Sequence, residues 1–218
     1  ILQQVFTSSA ADDKLIQELL ARKIPIVQSS KSQLEKMVLS PSHQGIVAEI
    51  RPRTFWSLKE FLATLPARAL LLMLDSIYDP HNFGAILRVA ECFGAQGIIF
   101  SKNRGTDITP VVSKSSCGAS ELLPLIKVAN LAESVRSCQK EGFFVLAAEA
   151  NPRALALPQF LAQPRPERGL LILGSEGEGI QPLLAKLTDQ SLYIPMKGKI
   201  TSLNVAQASA LLLYHLAD

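Results

Sequence analysis

The sequence is short of several features that would fix its class at once. It holds only three cysteines, Cys92, Cys117 and Cys138, in 218 residues. None forms a C-x-x-C pair and no histidine stands near them at ligand spacing, which excludes a zinc finger or dithiol redox site. An odd count in a chain of this length argues for reduced thiols in a cytosol-like compartment, and each cysteine is expected to be a small buried apolar residue. No apolar run approaches about 18 residues, so no transmembrane helix is expected. The longest runs, such as residues 70–74, have the length of buried strands. There is no internal repeat and no basic tail. With a net charge of +3, any nucleic-acid contact must come from local clusters of lysine and arginine and not from a global positive field. The chain also lacks an initiator methionine. It starts Ile-Leu-Gln-Gln-Val-Phe inside what reads as a strand, so residues preceding it are expected to be missing, and no targeting signal can be judged.

What is present is core-forming. Hydrophobic residues make up 48% and charged residues 19%, a globular composition well clear of disorder. A chain this long buries roughly two-thirds of its unfolded surface and needs no disulfide or metal staple. Residues 1–50 alternate in type. Strands are expected at 4–6, 24–27 and 45–50, with helices at 12–22, where Leu15, Ile16, Leu19 and Leu20 recur at helical spacing, and at 31–37. This is a small α/β unit. Residues 51–68 hold prolines, bases and the single Trp56, and suit a linker with one short helix at 58–65.

From residue 69 to 218 the alternation is regular. Strands are expected at 70–74, 97–100, 143–147, 170–173 and 192–194, and helices at 83–93, 109–117, 131–141, 182–187 and 203–216. Strands separated by helices imply a mostly parallel sheet with helices on both faces, an α/β layered domain. Residues 151–168, rich in Pro and Arg, read as a surface loop with at most a short helix.

Three blocks carry candidate chemistry. In the first, a strand ends at Asp75, a turn with Asp79-Pro80 follows, and Asn82 stands where a helix would be capped, ahead of Arg88 on that helix. In the second, a strand runs into Gly174-Ser175-Glu176-Gly177-Glu178-Gly179. This glycine-rich turn lies at a strand's carboxyl end, where open α/β sheets bind ligands. Its spacing is not the dinucleotide fingerprint, and its two carboxylates would repel a phosphate; an amine or sulfonium cation suits them better. In the third, a strand ends at Pro195, a loop with Lys197 and Lys199 follows, and a helix begins near Ser202 or Leu203, with Asn204 at its entrance. Each block alone serves equally well as a cap, a tight turn or a core helix.

Together they resemble the SpoU (TrmH-type) family of RNA ribose 2′-O-methyltransferases. The matching text is Asp79-Pro80-x-Asn82-x-Gly84-Ala85-x-x-Arg88, then Leu173-Gly174-Ser175-Glu176-Gly177-x-Gly179, then Ile194-Pro195-Met196-x-Gly198 and Ser202-Leu203-Asn204-Val205, in the family's order and spacing. Residues 111–119 with Pro124-Leu125 resemble its middle region. His43-Gln44-Gly45-Ile46-Val47-Ala48 resembles the end of the ribosomal-protein-like RNA-binding domain of the subgroup that modifies large-subunit ribosomal RNA, with its first strand and helix absent.

The resemblance implies a trefoil-knotted domain, a cytoplasmic homodimer with its active site near the interface, and S-adenosylmethionine as cofactor. The expected reaction is methylation of a ribose, of a guanosine, in ribosomal RNA. It implies that Gly174, Ile194 and Leu203 hold the cofactor through their backbones, with Met196 and the strand end at Ala148 lining the pocket. Arg88 is then the residue at the attacked oxygen. Guanidinium stays protonated in proteins, so Arg88 fits an electrostatic clamp better than a base. Asn82, Glu176, Ser202 and Asn204 would orient Arg88 and substrate, and no metal is needed. Lys102, Arg104, Lys114, Lys197 and Lys199 are candidate phosphate contacts, which position RNA without reading its sequence. The rival readings are the same reaction on a transfer RNA loop, a non-catalytic RNA-binding protein on this fold, and a nucleotide-binding α/β protein; the acidic turn at 174–179 disfavours the last.

Overall fold

The computed structural model describes residues 2–9, 13–38, 41–175 and 177–217, and they form two compact units that divide between Thr54 and Phe55. In the first unit the order is β1 (Leu2–Thr7), α1 (Lys14–Ala21), β2 (Ile26–Gln28), α2 (Lys31–Val38), a single 3-10 turn (Pro41–His43) and β3 (Ile46–Ile50). β1 is central. It pairs parallel with β2 across α1 and antiparallel with β3. Asp13 caps α1 by accepting from the Leu15 N–H at 2.9 Å. Val5, Ile16 and Leu34 make its small core.

In the second unit the order is α3 (Leu58–Thr64), β4 (Ala69–Leu74), α4 (Pro80–Cys92), β5 (Gly97–Ser101), α5 (Pro110–Ser115), α6 (Ala119–Leu122), β6 (Leu125–Val128), α7 (Leu131–Lys140), β7 (Phe144–Ala148), β8 (Leu155–Ala156), α8 (Leu157–Leu161), β9 (Arg168–Leu173), α9 (Pro182–Ala185), β10 (Gln190–Tyr193) and α10 (Val205–Leu216). The strands form one seven-stranded sheet in the order β6-β5-β4-β9-β7-β10-β8, and every pairing in it is parallel. A central parallel strand is covered on both faces, so it reads as an unbroken apolar run. Successive side chains leave opposite faces. Leu70, Leu72 and Leu74 of β4 therefore join Phe83, Ile86 and Leu87 of α4 and Leu212 and Leu213 of α10 in one core. Ala69, Leu71 and Met73 join Phe61 and Leu62 of α3, Val135 of α7 and Leu184 of α9 in the other. Each such leucine contributes roughly 1.5–3 kcal/mol on burial. No helix among the described residues is long and apolar enough to cross a membrane.

Several expectations are corrected. Residues 55–68, expected within the linker, belong to the second unit. The Trp56 N–H donates to the Leu125 carbonyl at 2.9 Å, and the Trp56 ring meets Phe61 edge-on at 5.8 Å. Arg168 fastens the end of this segment, donating to the carbonyls of Pro66 at 3.2 Å and Glu141 at 3.1 Å while its guanidinium lies over the Phe143 ring. The helix expected at 109–117 ends at Ser115, and a separate short helix α6 follows it, because Cys117 (φ 51°) and Gly118 (φ 91°) between them are both left-handed. The strand β6 was not expected, nor was β8.

Packing between α4 and α5 leaves no free volume at Gly84. A Cβ there would sit 1.9 Å from Ser115 Oγ and 2.7 Å from the Val112 carbonyl oxygen. The cysteines divide. Cys138 is buried in α7, but Cys92 and Cys117 are exposed, against the expectation that all three are buried. Burial first, and the Glu141 carboxylate second, push the Cys138 thiol up to about 12 from 9.0. The thiolate is the reacting form, so alkylation of the native protein at pH 8 should modify two cysteines and spare Cys138, with all three reacting in denaturant, as counted by mass spectrometry. Gly84→Ala should lower stability by about 1–3 kcal/mol in urea unfolding.

Candidate active site

In an all-parallel sheet the strands' carboxyl ends line one edge. Register sets Leu74 of β4 beside Leu173 of β9, Ile172 beside Ala147 of β7, and Ala148 beside Leu192 of β10. Asp75, Gly174, Ala148 and Ile194 therefore follow one another along that edge. After β4 the chain steps to β5 on one side, and after β9 it steps to β10 on the other. The point where the direction of winding reverses is the usual ligand crevice of such sheets.

The turn after β9 is held tightly on itself. Ser175 and Gly179 exchange backbone hydrogen bonds of 3.1 Å in both directions, and the Glu178 N–H donates to Ser175 Oγ at 3.2 Å. Gly179 is left-handed at φ 68°, where a side chain would be strained. Gly174 packs so closely that a Cβ would lie 2.3 Å from the Gly179 carbonyl carbon and 2.6 Å from the Ile180 nitrogen. Gly177 faces open space.

Asp75 is fully buried at the end of β4. Its Oδ2 accepts from the Gln181 backbone N–H at 2.7 Å, and its Oδ1 accepts from Ser76 Oγ at 3.0 Å and from the Gln181 side-chain amide. Its own N–H donates to the Leu173 carbonyl at 2.9 Å. No lysine, arginine or histidine among the described residues pairs with it.

The first block differs from expectation in its cap. Asp79, not Asn82, caps α4, accepting from the His81 N–H at 2.8 Å. The reason is Pro80: proline favours the first helical position, and the residue before it is held extended, which is the conformation of a cap. Asn82 is thereby freed to face α10. Its Oδ1 accepts from Asn204 Nδ2 at 2.9 Å. Asn204 caps α10 with its other end, Oδ1 accepting from the Ala206 N–H at 2.9 Å, so this helix begins at Val205, after Ser202 and Leu203. The ring pair Phe93–Tyr214, at 5.8 Å, continues the same α4–α10 contact.

Arg88 leaves the other flank of α4 and is exposed. Its Nη1 donates to Cys117 Sγ at 3.3 Å across the break between α5 and α6. The structure thus joins Asn82 to Asn204 directly, while Arg88 contacts neither and Ser202 stands exposed in the loop before α10. Glu176 lies outside the described residues. Among the expected cofactor positions, Ala148 and Ile194 are half-buried against the core, Leu203 is half-buried, and Met196 is exposed. Lys102, Arg104, Lys197 and Lys199 are exposed in loops that leave the carboxyl ends of β5 and β10, the edge that bears the turn; Lys114 is exposed on α5. Sequence reasoning passed over Asp75, although one acid closing the apolar run Ala-Leu-Leu-Leu-Met-Leu was a visible signal. It also passed over Cys117, for which nothing local pointed to Arg88.

Comparisons with known proteins match these features. The family model described as SpoU rRNA Methylase family matches residues 69–214, and that described as RNA 2′-O ribose methyltransferase substrate binding matches residues 1–56. A curated relative from Pseudomonas putida, the 23S rRNA (guanosine-2′-O-)-methyltransferase RlmB, is 33% identical over 98% of this chain and 87% of its own length. Its Salmonella typhimurium counterpart is 34% identical over 97% and 88%. In fold, the chain is similar to the SpoU methyltransferase AviRb from Streptomyces viridochromogenes in complex with AdoMet, with a TM-score of 0.80, 21% identity, and coverage of 100% of this chain and 82% of that one.

Gly174→Ala should cost about 1–3 kcal/mol of stability in urea unfolding, because the atoms its methyl group meets are backbone and cannot rotate away.

Proposed function

Because this chain belongs to the SpoU rRNA methylase family, we propose that it transfers the methyl group of S-adenosylmethionine to the ribose 2′-hydroxyl of a guanosine in 23S ribosomal RNA. The observation that carries this reading is the convergence of three adjacent strand ends, at Ala148, Gly174 and Ile194, around a tight turn with an open outer side at Gly177. The residues fit that cofactor. The half-buried Ala148, Ile194 and Leu203 supply apolar walls, so backbone N–H and C=O groups are left to do the polar reading. The exposed Glu178 puts negative charge in the turn, which suits a sulfonium.

Bound S-adenosylmethionine supplies an electrophilic methyl group on a positively charged sulfur. The 2′-oxygen forms the new C–O bond as the S–CH3 bond breaks, the bonding pair leaves with sulfur, and the hydroxyl proton is lost to solvent. The Arg88 guanidinium stabilises the negative charge that develops on the oxygen. Asn82, Ser202, Asn204 and Glu176 orient the ribose. In-line displacement demands close alignment, and fixed polar side chains lower the barrier by several kcal/mol through positioning alone. Residues 1–54 bind the RNA and residues 55–218 perform the transfer, a division supported by the substrate-binding match over 1–56. That match and the names of the curated relatives favour ribosomal over transfer RNA. Residues 69–218 form a trefoil knot, and the protein acts as a cytoplasmic homodimer; the exposed Leu211 and Tyr214 on α10 support an interface there.

Purified protein should bind S-adenosylmethionine in calorimetry, and absence of binding would sink the enzymatic reading. Arg88→Ala should lower methyl transfer roughly 100- to 1,000-fold while leaving cofactor affinity largely intact. Ribose-methylation mapping of total RNA with and without the protein should show one guanosine of 23S ribosomal RNA losing its mark; a transfer RNA site would favour the rival substrate.

A further inference from the structure

We propose that Asp75 is a positioning residue for the cofactor turn, acting through Gln181. This rests on the reading that residues 174–179 hold S-adenosylmethionine. A carboxylate buried without a cation is costly unless both of its oxygens find donors. Asp75 meets that condition with one hydroxyl, one backbone N–H and one side-chain amide. Two of the three donors belong to Gln181, the residue through which the chain leaves the glycine turn after Ile180.

The exit of the turn is held by Ile180, which is buried in the core, and then by Gln181. The backbone of Gly179 and Ile180 approaches Gly174 so closely that a Cβ there would clash with it, and Gly179 is left-handed. A small movement of Gln181 therefore shifts Gly179, breaks its paired bonds with Ser175 and moves the N–H groups of the turn. Asp75 is well placed to prevent that, because it extends from β4, a strand inside the sheet. All six of its residues are buried, and it is paired on both sides.

The same carboxylate also governs the other loop of the crevice. Ser76 is left-handed at φ 60°, a conformation that needs support in a non-glycine residue, and its hydroxyl donates to Asp75 Oδ1. From Ser76 the chain runs through Asp79 into α4, the helix that carries Asn82 and Arg88. One buried side chain thus fixes the turn that would hold the methyl donor relative to the helix that would hold the acceptor.

Asp75→Ala should weaken S-adenosylmethionine binding about tenfold or more, since it leaves the half-buried Gln181 donors without their acceptor. In amide hydrogen exchange, the Gly179 N–H should lose protection in this variant while Leu72 in the middle of β4 keeps it. Asp75→Asn should restore most of the affinity, because the Gln181 amide can turn over to accept from the new Nδ2 while Oδ1 keeps the backbone bond. If Asp75→Ala does not fold, Gln181→Glu sets two carboxylates together and should weaken binding similarly, and combining it with Asp75→Asn should recover it. Unchanged Gly179 exchange together with unchanged affinity in these variants would overturn the proposal. Should the unaltered protein fail to bind S-adenosylmethionine at all, the cofactor assignment falls, and the exchange at Gly179 still decides whether Asp75 holds the turn.

Discussion

The second unit depends on the pairing of β4 with β9. Six residues of each strand lie in parallel register from Ala69 against Arg168 to Leu74 against Leu173, joining segments that are far apart in the chain. Both strands are apolar on both faces, so no solvent-facing side tolerates a shift, and a slip by one residue would exchange every contact of the two cores. The register has a chemical result: Asp75 and Gly174, the first residues past each strand, become neighbours. The two sequence blocks they introduce meet at the crevice because the hydrophobic core puts them there.

The site then divides its labour between backbone and helix. The turn at 174–179 is built from glycines and mutual backbone hydrogen bonds, and it offers main-chain groups at close range. The side chains proposed to have chemical roles arrive from helices. α4 presents Asn82 on one flank and Arg88 on another, and α10 brings Asn204, which serves at once as cap and as partner of Asn82. A residue with two such duties ties the position of a functional group to the point where a helix starts.

Much of the fold was legible in the sequence because the inner strands are unbroken apolar runs; those at 70–74 and 170–173 read as strands at once. The edge elements were harder. β6, Leu-Ile-Lys-Val, has four residues, and Lys127 interrupts its apolar character by reaching out to Asp107 and the face of Phe55. The break between α5 and α6 hinges on a left-handed Cys117, which sequence gives little reason to expect. At the site, the three blocks were readable but their contacts were not. Asn82 meets Asn204 across 122 positions, a distance over which no local pattern carries information. The cap of α4 was misplaced because Asn82 and Asp79 are both good capping residues and only the geometry before Pro80 separates them.

The absence of free volume at Gly84 also bears on motion. Ser115 Oγ lies within 3.2 Å of the Pro80 carbonyl and 2.8 Å of the Val111 carbonyl, so the start of α4 and the body of α5 are locked together at contact distance. Close-packed helices of this kind do not slide by small increments. In the proposed reaction α4 and α5 therefore meet RNA as one rigid piece. Any travel of the Arg88 guanidinium toward a ribose in that reaction requires its own long side chain to let go of Cys117. The arginine then works as a swinging arm on a fixed post, and its speed is that of a rotamer change on an exposed surface, faster by orders of magnitude than a rearrangement of helices.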